Sequence, residues 1–76
     1  MKTHDDKLIR MANQIGTFFE SMPDRSEALG GIAKHLKSFW DPRMRKSFMQ
    51  QVDDPATQGI SAIVRDAVLA HRSLIE

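Results

Sequence analysis

Leu8, Ile9, Ala12, Ile15, Phe18, Phe19 and Met22 recur at spacings of three and four, which predicts one apolar stripe on a helix of about five turns. Lys7, Arg10, Asn13, Gln14 and Thr17 cover the other side. Thr3 is placed to cap this helix, with Asp5 and Asp6 where a helix N-terminus favours negative charge. Pro23 ends it, because its ring cannot continue the ladder and it pushes Met22 towards an extended conformation.

A second helix opens with the capping-box spacing Asp24-Arg25-Ser26-Glu27, in which the Asp side chain caps and the Glu reaches back. It carries Ala28, Leu29, Ile32, Leu36, Phe39 and Trp40. Gly30-Gly31 lies inside it and costs roughly 2 kcal/mol relative to two alanines. The close approach of another backbone is the simplest offset. Trp40 precedes a proline, so the helix should end there. Asp41 then caps a third helix, with Pro42 at its first position and Met44, Phe48, Met49 and Val52 as its apolar residues. Asp53-Asp54-Pro55 repeats the device of stop, cap and restart. Ile60, Ile63, Val64, Ala67, Val68, His71, Leu74 and Ile75 give a final stripe, and no strand-like alternation competes. The expected fold is all-α: a small bundle of about four helices with short, proline-marked connections, one domain over residues 1–76.

A chain of 76 residues buries only about 60% of its unfolded surface, so its own core gives marginal stability. Cysteine is absent, which removes disulfides and thiolate ligands together. A partner, whether another copy or another protein, is therefore expected before any motif is read. The composition, 41% hydrophobic and 28% charged, is that of a soluble globular chain. A net charge of +1 gives no whole-protein case for nucleic acid or membrane. No apolar run approaches the ~18–20 residues of a membrane span. The N-terminus lacks the apolar core of a signal peptide, and the expected compartment is the cytoplasm.

Charge and aromatic residues concentrate in Lys34–Lys46, where Lys34, Lys37, Arg43, Arg45 and Lys46 stand against Asp41 alone. Phe39 and Trp40 are adjacent, so a helix cannot point both the same way. If Phe39 completes the core stripe, Trp40 is at least partly available, and Trp and Arg are enriched at binding hot spots. A Trp40 packed across the corner between the second and third helices is the alternative. His35, one turn before Phe39, is either a packed edge residue or a rim contact. The corner is expected to bind a partner through Phe39, with Trp40 and Met44 as apolar anchors, Arg43 and Arg45 as charged contacts and His35 at the rim. The same cations on two helices suggest a helix-turn-helix as the rival reading. The tight Asp41-Pro42 connection and the apolar Met44, Phe48 and Met49 count against it.

Catalytic chemistry finds no constellation. His4, His35 and His71 are far apart and fit no metal-ligand spacing. No serine has the G-x-S-x-G context, and Gly30-Gly31 is followed by no G-K-S/T. Asp5-Asp6 and Asp53-Asp54 stand at expected helix starts, where capping explains them.

Leu8-Ile9-Arg10-Met11-Ala12-Asn13-Gln14-Ile15-Gly16 followed by Phe18-Phe19, then Pro23-Asp24-Arg25 and Glu27-Ala28, resemble the opening of the delta subunit of soluble NAD-dependent formate dehydrogenases. Ile32-Ala33, His35-Leu36, Phe39-Trp40 and Pro42-Arg43-Met44-Arg45 carry the resemblance on. Gly59-Ile60-Ser61, Ile63-Val64, Ala67 and His71-Arg72 continue it loosely. The resemblance implies a small, non-catalytic accessory subunit of a cytoplasmic complex that oxidises formate with NAD. Its partners would be the large and smaller subunits of formate dehydrogenase. They, not this chain, would carry the molybdenum or tungsten pterin, iron–sulfur clusters, FMN and the NAD site. The delta subunit would support assembly or stability. Self-association as a homo-oligomer is a further expectation from the exposed methionines and aromatics.

Overall fold

The computed structural model describes residues 6–76, and the described residues form helices without strands. The expected Thr3 cap and His4 fall outside them. The helices are α1 (Asp6–Glu20), α2 (Arg25–Phe39), α3 (Pro42–Asp53), α4 (Ala62–Ala70) and α5 (Arg72–Ile75). None is long and apolar enough to cross a membrane.

α2 and α3 begin and end where sequence chemistry places them. The Asp24 carboxylate accepts from the N–H groups of Ser26 and Glu27 at the start of α2. Asp41 accepts from Met44 N at 2.8 Å at the start of α3. Each cap satisfies donors that the first turn of a helix leaves without partners. The expected restart after Asp53-Asp54-Pro55 does not occur. Asp54 instead folds a turn, its carboxylate accepting from Ala56 N at 2.9 Å and its carbonyl from Thr57 N at 3.0 Å. Gly59 follows at φ +91, a conformation that favours glycine, and α4 begins only after Ser61.

Asn13, expected on the polar face of α1, ties this loop down. Its Nδ2 donates to Gly59 O at 2.7 Å and its Oδ1 accepts from Ser61 N at 3.0 Å. The last stripe, expected as one helix, is divided at His71, whose φ −127 and ψ 37 leave the helical region. The N–H groups of Leu74 and Ile75 both bond His71 O and restart the chain as α5. This turn brings Ile75 into the core at 0% exposure and leaves Leu74 at 41%.

α2 is the central helix and packs on α1, α4 and α5. Ala28, Ile32, Ala33 and Leu36 on α2 and Ile63, Val64, Ala67 and Val68 on α4 belong to one core, and no charged side chain among the described residues is buried. Gly16 lets α4 approach α1: a Cβ there would lie 2.7 Å from Val64 Cγ2. Gly31 does the same between α1 and α2, but what approaches it is the Phe19 ring, not the backbone expected from the Gly30-Gly31 pair. Phe19, near the end of α1, thus packs against the middle of α2.

Candidate functional site: an apolar groove at the corner of α1, α2 and α3

Where α1, from Met11 to Phe19, runs beside the end of α2, the helices leave an open groove of about 610 Å³. Met11, Gln14, Ile15, Phe18 and Phe19 line it from α1; His35, Phe39, Trp40 and Met44 line it from the α2–α3 corner. Four of the six residues expected to bind a partner thus share one site. Arg43 and Arg45 do not line it.

Of the two places the sequence left open for Trp40, the structure takes the one across the α2–α3 corner, and Phe39 stands outside the core. Phe39, the last residue of α2, keeps the helical direction and stands 74% exposed. Trp40 has left the helix at φ −94 and ψ 139, and that turn swings the indole inward. It is 5% exposed and packs edge-on to Phe48, with ring centroids 5.5 Å apart. Trp40 is therefore a core residue that forms part of the groove floor, not a free-standing anchor. The His35 ring lies beside the Phe39 ring, centroids 4.6 Å apart, and limits the rotamers open to it. Across the groove Phe18 is 73% exposed and meets Phe19 edge-on at 5.2 Å.

Arg45 is also corrected. Its Nε donates to Ile75 O at 2.8 Å, and its Nη1 to Trp40 O at 2.7 Å and Lys37 O at 3.3 Å. Helix C-termini end in carbonyls without partners and carry partial negative charge. One guanidinium thus binds the ends of α2 and α5 from α3, with its Nε and Nη1 engaged inside the fold. Arg43 stays exposed. The helix-turn-helix alternative weakens with the same observations, because α3 buries Phe48, Met49 and Val52 and uses Arg45 internally.

Phe18, Met11 and Ile15 were not singled out as contact residues, although the sequence carries the signal. The α1 apolar positions cover too wide an arc for one packed face. Ile9, Ala12 and Gly16 face the core, while Met11, Ile15 and Phe18, spaced by four and three, form a second row along the groove. Among the described residues no group of three or more His, Cys, Asp or Glu could hold a metal ion.

No curated protein and no solved structure shows a significant match to the chain. A protein-family match does cover α1 to α3 and most of α4: residues 7–68 fit the family described as NADH-dependent formate dehydrogenase delta subunit, FdsD, and the chain belongs to that family.

Proposed function

We propose that this member of the NADH-dependent formate dehydrogenase delta subunit family is a non-catalytic accessory subunit. It supports the assembly or stability of a cytoplasmic formate dehydrogenase complex by docking onto partner subunits through the α1–α2–α3 groove. The observation that carries this reading is the pair Phe18 and Phe39, two phenylalanines about three-quarters exposed on either side of one apolar groove. An exposed apolar patch of this kind marks an interaction surface more often than chance exposure does. Phe39, Met44, His35 and the Trp40 floor are its partner-binding residues on the α2–α3 side, with Arg43 at the outer edge.

The redox chemistry belongs to the partner subunits in this reading. Iron–sulfur clusters are held by cysteine thiolates, and the chain contains no cysteine. The residues present do not fit such a cluster, and none of them is assigned to a molybdenum or tungsten pterin, FMN or NAD.

A tagged chain recovered from its native lysate at physiological salt tests the proposal. Formate dehydrogenase subunits in the eluate, with formate-dependent NAD reduction, are expected for a resident subunit. The same subunits without activity would identify a chaperone of an immature complex. Recovery of the chain alone, or with nucleic acid, would contradict the reading.

A further inference from the structure

We infer that the occupant of the groove is an amphipathic helix of a partner subunit, with an apolar row entering between Phe18 and Phe39 and acidic residues along its flank. The inference rests on the groove being the docking surface and adds the chemistry of what docks there.

Length is the first argument. The row from Met11 to Phe18 spans seven residue steps along α1, or about 10.5 Å of helix. A partner helix presenting apolar residues at i, i+3 or i+4 and i+7 matches that span, as helix-in-groove recognition requires. The groove is bounded by helices on both sides, so it presents no strand edge for an extended peptide to pair with.

Charge is the second argument. Lys7 lies one turn before Met11 and Arg10 one turn before Gln14, each on the face of its groove residue. Arg43 stands outside the lining at the start of α3, next to Met44. All three are exposed, and none makes an ion pair among the described residues. The acid at this corner, Asp41, is engaged as the N-cap of α3. Cations around an apolar slot select a partner with acids in the matching positions and penalise one without them. They also count against a second copy: a two-fold interface across the groove would set the same cationic rim against itself.

The test uses the full chain and formate dehydrogenase purified from cells lacking it, with binding followed across a salt series. Arg10→Glu combined with Arg43→Glu should weaken binding about tenfold or more at low salt, and the difference should shrink as salt screens the rim. A zero-length carbodiimide cross-linker should join the Lys7 amine to an Asp or Glu in a helical stretch of a partner subunit. Unchanged affinity for the charge-reversed chain, with no such cross-link, would overturn the inference, whereas Phe39→Asp then decides about the groove itself. If Phe39→Asp abolishes binding, the groove remains the docking surface with a differently charged occupant. If Phe39→Asp binds as the natural chain does, the docking surface lies elsewhere and both statements fall. A doubled mass of the isolated chain in light scattering, lost in Phe39→Asp, would name a second copy as the occupant and also overturn the inference.

Discussion

The two sides of α2 use similar residues to opposite ends. Towards α4 and α5, Ile32, Leu36, Val64, Val68 and Ile75 are each fully buried, and the small residues Ala28, Ala33 and Ala67 let the helices close together. Towards α1 and the start of α3, the larger Phe18, Phe39, Met11 and Met44 leave an open groove. Apolar burial stabilises at roughly 25 cal/mol per Å², so the first side is where this small chain obtains its fold. The second side holds apolar area still available for association. In a small domain whose core is marginal, the two most exposed large apolar side chains, Phe18 and Phe39, both stand at this groove.

The contrast breaks most sharply at Phe48, which is fully buried against Trp40. Phe48→Ala should destabilise the isolated chain by about 3–5 kcal/mol, enough to unfold much of it in a denaturant titration. Arg45→Met comes next. It keeps much of the side-chain bulk but leaves Ile75 O without its Nε donor and Trp40 O without its Nη1 donor, at about 1–3 kcal/mol. Hydrogen exchange should show the loss first in α5.

The Arg72–Asp53 pair clips α5 to the end of α3, with Nη1 to Oδ1 at 2.9 Å. Its hydrogen bond to Arg72 holds the Asp53 carboxyl below the ordinary carboxylate range. A carboxyl with a lowered folded-state pKa stabilises the fold above its unfolded pKa and loses that contribution as pH falls through the folded value. Melting temperatures of the natural chain and Asp53→Asn should therefore differ at neutral pH and converge in acid, by a small amount because the pair is exposed. Phe39→Ala should have the smallest effect on the isolated chain, within about 0.5 kcal/mol, while its binding to formate dehydrogenase falls. That split between stability and association is the sharpest expression of the difference between the two sides.

How much of this was legible depends on where each instruction is written. Asp24, Asp41 and Pro42 state their roles locally, so the boundaries of α2 and the start of α3 follow from the sequence. The choice between the two places open to Trp40 does not. It depends on one residue leaving helical torsion at the C-cap, which periodicity carried past the helix end assigns to the wrong face. The division at His71 is equally silent, since neither proline nor glycine marks it. Arg45 and Asn13 read as ordinary polar residues because their partners, Ile75 O and Gly59 O, are distant in sequence. The groove was half visible: the basic aromatic corner stood out, whereas its α1 wall was hidden in a stripe read as a single face.

The most direct test compares exposed apolar residues with one another. Phe18 and Phe39 flank the groove, whereas Leu69, at 60% exposure, and Leu74, at 41%, do not line it. Hydroxyl-radical footprinting of the chain, free and assembled with formate dehydrogenase, reads all four in one experiment. The account predicts that Phe18 and Phe39 lose most of their oxidation on assembly while Leu69 and Leu74 keep theirs. Protection of Leu69 and Leu74, with Phe18 and Phe39 still oxidised as in the free chain, would contradict it.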